Sequence, residues 1–284
     1  MKSIKFNLKK ETSKLMMFVC AAIIALNFNA CQKDDKSEEP TVTPVDYQAG
    51  NIPGLGDADG DLTGTPFTLP AGVELSGDIT GAGYQLEYWD LSSNSSPSIL
   101  RSFVNKDGEV ETRTVAPPFR NSEADAPIYY YGSGAGYVDL LIPLRNTLSS
   151  QTTVTFPAAT ILVSKSGECQ NGILLKKVTI IIPSKSDYRV CLSFYCGNLH
   201  KHSASGSEVY TFAVISNASP ILDLCDRLKN KKINIEEFSR TSYEDCSVYL
   251  NQIDDLQGMV WSITEHNGLS QYYYDIINSL PNSK

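Results

Sequence analysis

The stretch Tyr188-Arg189-Val190-Cys191-Leu192-Ser193-Phe194-Tyr195-Cys196 is rich in aromatic and aliphatic residues, contains no glycine or proline, and is followed directly by Gly197-Asn198. This composition, bounded by turn residues, predicts a β-strand. Similar stretches occur on both sides of it, at residues 84–89, 137–144, 152–156, 160–163, 173–182 and 209–215. Because they follow one another without an intervening helical pattern, we predict a mainly β fold, with an antiparallel β-sandwich or barrel-like domain over residues 64–217.

The pattern changes in the last part of the chain. Ser219-Pro220 is typical of a helix start, and apolar residues then recur at helical spacing, at Ile221, Leu224, Cys225 and Leu228. A second helix is predicted over residues 254–266, where acidic residues begin the segment, and a third over residues 268–280. We therefore expect residues 218–284 to form a small helical subdomain, which makes the fold α+β overall.

The first 30 residues have the organisation of a secretory signal peptide. Residues 1–14 carry five lysines and one acidic residue, and residues 15–28 are almost entirely apolar. The apolar segment is shorter than the ~20 residues needed to span a bilayer. The segment Phe28-Asn29-Ala30-Cys31 resembles the lipobox of bacterial lipoproteins. That resemblance implies cleavage after residue 30 and acylation of Cys31, while a plain secretory signal next to a cysteine is the alternative.

Residues 32–39 are polar or charged and lack apolar side chains, so they cannot pack into a core and are typical of a solvated tether. They are similar to the acidic export tag of Bacteroidota surface-exposed lipoproteins. We expect residues 31–63 to be an acidic, Pro- and Gly-rich tether and entry segment. The similarity implies an outer-membrane lipoprotein that faces the cell surface, held to the membrane by the acyl chains at Cys31, with no other cofactor.

The charge of the mature chain argues against one class of partner. Removal of the signal peptide takes five of the 24 basic residues and one of the 32 acidic residues, which leaves a net charge of −12. Nucleic-acid binding needs clustered Lys and Arg, and no basic stripe is visible in the sequence. We therefore expect no nucleic-acid partner.

Five cysteines follow Cys31 in the mature chain, in a compartment that permits disulfides. Cys225 with Cys246 and Cys169 with Cys191 are candidate disulfides. This pairing would leave Cys196 over, and the sequence leaves the connectivity open.

Several short motifs have a simpler interpretation than a functional site. Asp57-Ala58-Asp59-Gly60-Asp61 has the alternating carboxylates of a calcium loop, but Leu62 stands where the turn glycine belongs, so a solvated turn is predicted. Cys196, His200 and His202 lack a second ligand pair, so a surface loop is expected there and no metal site is assigned. Hydrolase and phosphate-loop motifs are not evident, so no catalytic residue is assigned and no enzyme is expected.

Gln257 lies at the border of an apolar helix face. On a helical wheel Ile253, Leu256, Val260 and Ile263 share one side, with Gln257, Trp261 and Thr264 along its border. A half-buried glutamine at such a position can hydrogen-bond the edge of a sheet, which is its simplest interpretation.

The segments Phe194-Tyr195-Cys196 and Leu256-Gln257-Gly258-Met259-Val260-Trp261 resemble the two signature motifs of thioester domains in bacterial surface adhesins, in the same order along the chain. The resemblance implies an internal thioester between Cys196 and Gln257. In that chemistry the Cys196 thiolate attacks the Gln257 carboxamide and expels ammonia, and an incoming amine then captures the acyl carbon. Tyr195, Trp261 and Thr264 are the expected surround of the thioester.

These expectations together predict attachment. The protein would be a surface lipoprotein that binds a protein amine or a glycan on a host or neighbouring cell, covalently where the thioester forms. Two alternatives stay open. A non-covalent glycan-binding module would use exposed aromatics such as Trp89 and the runs Tyr129-Tyr130-Tyr131 and Tyr272-Tyr273-Tyr274. A structural subunit of a surface assembly would present unpaired edge strands.

Overall fold

The computed structural model describes residues 42–82, 88–89, 99–104, 110–115 and 128–283. The signal peptide, Cys31 and the first part of the predicted tether lie outside the described residues, as does most of the strand predicted at residues 84–89. The chain from Val42 onward is one compact unit. None of the helices described is both long enough and apolar enough to cross a membrane.

Strands dominate the first two thirds of the described chain, and helices the remainder. The strands are β1 (Gly64–Pro66), β2 (Val73–Leu75), β3 (Ile79–Gly81), β4 (Ile99–Val104), β5 (Val110–Val115), β6 (Ile128–Gly132), β7 (Val138–Asn146), β8 (Thr152–Phe156), β9 (Thr160–Ser164), β10 (Gly172–Ile173), β11 (Val178–Ile182), β12 (Asp187–Cys196) and β13 (Val209–Ser216). The helices are α1 (Ser219–Leu228), α2 (Tyr243–Thr264) and α3 (Gln271–Ser279), with a 3-10 turn at Ile235–Glu237.

Six strands close into a barrel in the order β7-β3-β13-β9-β10-β12, with β12 pairing back to β7. These six pairings are antiparallel. β1 and β2 add to the barrel antiparallel, and β6 adds to β12 in parallel. β8 with β11, and β4 with β5, form two small sheets of their own. The predicted mainly β, barrel-like fold with C-terminal helices is therefore confirmed.

β12 is buried on both faces from Val190 to Cys196. Successive side chains of a strand alternate between faces, so both sides of this strand must be covered. The barrel core covers one side, and α2 packs against the strand as well. Residues of the barrel and of the helices belong to a single hydrophobic cluster, which joins the predicted β domain and helical subdomain through a common core.

The single strand predicted over residues 173–182 is wrong. Residues 172–173 belong to the barrel as β10, and Val178–Ile182 crosses to the small sheet with β8. The charged pair Lys176-Lys177 separates them, and the Lys176 ammonium is engaged by Glu237, with Nζ to Oε1 at 2.7 Å. The chain leaves the barrel at this position, where Lys176 also donates to the Lys231 carbonyl at 2.6 Å.

The second helix is also longer than predicted. α2 begins at Tyr243, eleven residues before the expected start, because Ser242 caps it by accepting a hydrogen bond from the Asp245 amide at 3.1 Å. The predicted apolar face is confirmed, since Ile253, Leu256, Val260 and Ile263 are buried.

Candidate functional site

The candidate site forms where β12 extends beyond the end of its neighbour β7. The antiparallel pairing between these strands ends at Val138 with Phe194, whereas on the other side β10 still pairs Gly172 with Cys196. The Gly197 amide donates to the Asn171 carbonyl on that second side, at 2.9 Å. In an antiparallel ladder hydrogen bonds alternate from side to side, so the Cys196 backbone groups point toward the place that β7 has vacated.

Gln257 of α2 occupies that vacated place. The Cys196 amide donates to Gln257 Oε1 at 2.9 Å, and Gln257 Nε2 donates to the Cys196 carbonyl at 2.9 Å. A carboxamide has the same donor and acceptor as a peptide group, so the side chain continues the ladder where the strand stops. Both residues are fully enclosed, with Cys196 at 0% and Gln257 at 1% of their surface exposed. The sheet-edge hydrogen bonding expected of a bordering glutamine is thus present.

The Cys196 sulfur has two donors. Trp261 Nε1 lies 3.5 Å from Sγ, and the Asn198 amide lies 3.4 Å from it. Burial raises the pKa of Cys196 to about 12, and these two hydrogen bonds only partly oppose the effect. The sulfur is therefore a protonated thiol at neutral pH. It needs a partner that accepts its proton during any reaction.

The surround of the thiol differs from the predicted set. Trp261 lies against the sulfur and against Tyr137, with ring centroids 5.6 Å apart. Tyr195, the neighbour of Cys196 along the strand, points to the opposite face, where its hydroxyl pairs with the Ser133 hydroxyl. Tyr195 therefore packs on the face of β12 opposite the thiol and is not part of the thiol's surround.

Thr264 is fully buried one turn beyond Trp261. It lines a small apolar cavity that also contacts Ile173, Leu224 and Val260. Its hydroxyl has no hydrogen-bond partner within the described part of the chain. Thr264 thus borders the seam between barrel and helices.

The residues that close the site from the N-terminal side were not predicted from the sequence. Leu55 is fully buried, and a Cβ built on Gly197 would lie 2.9 Å from its side chain. The Gly56 amide donates to the Gly197 carbonyl at 2.8 Å, and Asn198 Nδ2 donates to the Gly56 carbonyl at 3.0 Å. The entry segment therefore packs over the end of β12. The isolated apolar residues Ile52 and Leu55 within a Gly-rich stretch were the available signal.

The predicted disulfides are absent. In the part of the chain that the structure describes, all five cysteines are buried and none forms a disulfide. Cys191 lies five residues before Cys196 on β12, about 16 Å along the strand. Cys169 lies three residues before Gly172, which pairs with Cys196, so Cys169 lies near the C-terminal end of β12. A disulfide needs Cα atoms within about 7 Å, which this register excludes.

The second predicted disulfide fails for a similar reason. Leu224, next to Cys225, lines the same cavity as Val260 in the C-terminal half of α2. Cys246 lies in the first turns of that helix, about 21 Å before Val260 at the rise of an α-helix. The Cys225 thiol instead faces the Leu174 carbonyl, 4.0 Å away.

The remaining candidates are dispersed. His200 is exposed and lies beside Asp57, with His200 Nε2 3.8 Å from Asp57 Oδ2. His202 pairs with Cys169 in an isolated bridge. Asp57, Asp59 and Asp61 are exposed.

The tyrosine runs divide between surface and core. Tyr129 is exposed and stacks on Tyr188 with ring centroids 4.3 Å apart, while Tyr130 packs inward near Tyr88. Tyr272 is exposed, whereas Tyr273 packs against the core. Trp89 is half-buried and packs on Tyr249.

Comparison with protein-family models, with curated proteins and with solved structures finds no match to this chain. The resemblance to thioester domains accordingly rests on the two short motifs and on the geometry of the residues that they contain.

Proposed function

We propose that this protein is a surface lipoprotein of attachment, and that Cys196 and Gln257 form an internal thioester through which it captures an amine on its target. One observation carries the proposal. The two side chains come from motifs 61 residues apart, and Gln257 makes both of its hydrogen bonds to Cys196, with each residue closed off from solvent.

The bond-forming step is balanced by ammonia. Sγ of Cys196 attacks Cδ of Gln257, the Cδ–Nε2 bond breaks, and the thiol proton leaves on nitrogen as ammonia. The Gln257 carboxamide is hydrogen-bonded to the Cys196 backbone, so it must break those two hydrogen bonds to bring Cδ to the sulfur. The raised thiol pKa means that the sulfur enters this step in its protonated form, so its proton must be transferred to the departing nitrogen.

Exclusion of water gives the product a long lifetime. Trp261 lies against the sulfur, and both Cys196 and Gln257 are closed off from solvent. A thioester in such a site is protected from hydrolysis until an amine is admitted. The amine attacks Cδ, the C–S bond breaks, and the Cys196 thiol is regenerated as the target becomes joined to Gln257 by an amide. The reaction occurs once per molecule, so the protein is not an enzyme.

The test is the intact mass of residues 32–284, the mature chain without its lipidated first residue. We expect a mass lower than that of the sequence by one ammonia, and addition of one methylamine on treatment with that amine. Cys196→Ala and Gln257→Ala should both restore the full mass.

Two matched controls separate this site from its surroundings. Cys225 is another buried thiol with a pKa raised to about 12 by desolvation, and Gln252 is another buried glutamine of α2. Cys225→Ala and Gln252→Ala should keep the ammonia deficit. A full mass in the unmodified chain, or a deficit that survives Cys196→Ala, would contradict the proposal.

Glycan binding is the second candidate, favoured by the exposed stack of Tyr129 on Tyr188. A flat aromatic surface of this kind suits the apolar face of a sugar ring. Calorimetric titration with soluble glycans tests it. Heat that is lost in Tyr129→Ala but kept in Cys196→Ala would support glycan binding over covalent capture.

A further inference from the structure

We propose that Asp57, His200 and Glu265 form a binding site for a divalent transition-metal ion such as Zn²⁺, which pins the entry segment over the end of β12. The site is independent of the thioester, because none of its ligands takes part in that chemistry. Within the described ranges these three residues are the group of potential ligands whose donor atoms converge, all within 4.8 Å of one another.

The donor atoms are close enough to meet at one ion. His200 Nε2 lies 3.8 Å from Asp57 Oδ2. In a tetrahedral zinc site with bonds of ~2.0–2.1 Å, ligand atoms lie roughly 3.3 Å apart. His200 and Asp57 are largely exposed, so their side chains can rotate by this small amount without disturbing the core. The fourth position would remain open to water.

The backbone that carries the ligands is already held in place. Gly56 beside Asp57 donates to the Gly197 carbonyl at 2.8 Å, and the Leu199 amide donates to Glu265 Oε1 at 2.7 Å. The second oxygen of Glu265, Oε2, faces Gly56, since a Cβ built there would lie 2.9 Å from it. Gly56 has a φ of +59°, and only a glycine permits this close approach to α2.

The composition of the site selects the kind of ion. Two carboxylates that converge with a single imidazole leave an excess of negative charge, which a divalent cation would neutralise. Imidazole is a ligand for Zn²⁺ and related transition metals, whereas Ca²⁺ is bound by six to eight oxygen atoms. The aspartates of the calcium-like motif therefore contribute to a site of a different type, through Asp57 alone.

The ion would join three separate parts of the chain. Asp57 belongs to the entry segment, His200 to the loop after β12, and Glu265 to the C-terminal cap of α2. All three flank the polypeptide that closes over Cys196, where Asn198 contacts both the sulfur and Gly56. Metal binding should thus stabilise the closed position of this segment.

The experiment is calorimetric titration of EDTA-treated, dialysed residues 32–284 with ZnCl₂ at neutral pH, together with thermal unfolding. We expect one ion per chain and a rise in Tm that EDTA reverses. Asp57→Asn, His200→Ala and Glu265→Gln should each weaken binding by about tenfold or more. The other two histidines of the chain provide matched controls, and His202→Ala and His266→Ala should bind as the unmodified chain does.

Co²⁺ serves as a second probe because the chain contains buried thiols. Carboxylate and imidazole ligands give d–d absorption without a thiolate-to-cobalt charge-transfer band. A charge-transfer band, binding that survives His200→Ala, or no measurable Zn²⁺ binding by the unmodified chain would each overturn the proposal.

Discussion

At the residue scale, Gln257 stabilises the fold whether or not it reacts. In a Cys196→Ala background no thioester can form, yet the backbone at position 196 still exchanges two hydrogen bonds with the glutamine. Adding Gln257→Ala should lower the free energy of unfolding by about 2–4 kcal/mol, because a buried amide and a buried carbonyl lose their partners. Urea unfolding measures this loss.

The control for that prediction is Gln252→Ala on the same helix. Gln252 donates one hydrogen bond to the Lys232 carbonyl, at 3.1 Å, and its Oε1 has no partner among the residues described. Its removal should be less costly than that of Gln257. Equal losses at the two positions would mean that Gln257 does not complete the ladder.

Cys225 makes the stability depend on pH. Desolvation raises the pKa of the Cys225 thiol from 9.0 to about 12. Between these two pH values the thiol stays protonated in the folded chain but ionises in the unfolded chain. A raised folded pKa contributes stability that is fully present below the unfolded pKa and is lost as pH rises toward the folded value. Above pH ~9 the free energy of unfolding should therefore fall by up to about 1.4 kcal/mol per pH unit from this group.

The comparison that isolates this effect is Cys225→Ala, measured by urea unfolding over the alkaline range. The substitution creates a cavity, so the variant should be less stable at neutral pH but should lose less with rising pH. Parallel curves for the two proteins would show that Cys225 does not contribute to the pH dependence.

At the scale of secondary-structure elements, Lys176 joins the segment between β10 and β11 to the 3-10 turn and the C-terminus. Its ammonium lies 2.7 Å from Glu237 Oε1, 2.6 Å from the Lys231 carbonyl and 2.7 Å from Ser283 Oγ. The pair is mostly buried, with 12% and 22% of the two side chains exposed. Lys176→Met should cost about 2–4 kcal/mol, because Glu237 is left without its main counter-ion.

The surface pair of Arg145 with Asp187 is the control for Lys176. Its nitrogen and oxygen are also 2.7 Å apart, but the side chains are 48% and 61% exposed. Arg145→Met should cost much less than Lys176→Met in the same unfolding assay, because solvent screens an exposed ion pair. Similar losses for the two variants would show that burial does not strengthen the Lys176 contact.

At the scale of the whole molecule, attachment of the protein to its own cell is predicted at Cys31. Each buried methylene of an acyl chain contributes about 0.8 kcal/mol, so two or more chains anchor a protein stably. Cys31→Ser should prevent incorporation of labelled palmitate and move the chain from the membrane to the soluble fraction. Cys20→Ser, within the apolar part of the signal peptide, should change neither result. Continued labelling of the Cys31→Ser protein would contradict a lipid anchor there.

The closed barrel and the helices share one core, and the candidate site lies at their seam. Gln257 from α2 and Cys196 from the barrel can meet only when both parts are folded. Chemistry at this site is therefore coupled to the folded state of the compact unit.

Local patterns in the sequence determined much of this architecture. Thr152–Phe156 and the run ending at Cys196 were predicted within one residue, because alternating or uniformly apolar β-formers carry their own signal. The face of α2 that is buried was predicted from spacing alone. The pairing of Cys196 with Gln257 was expected only from resemblance to a family, since spacing of residues gives no information on contacts across 61 positions.

Only the tertiary structure decided how these parts meet. Strand register determines that β12 pairs with β7 and that β7 ends before Cys196. It thereby leaves the gap in which the Gln257 side chain lies. Register also excluded the Cys169–Cys191 disulfide and turned Tyr195 away from the thiol. Convergence of Asp57, His200 and Glu265 depends on packing of the entry segment. These contacts join residues that are distant in sequence. They stabilise the fold only after the intervening chain has been ordered, so local sequence patterns do not reveal them.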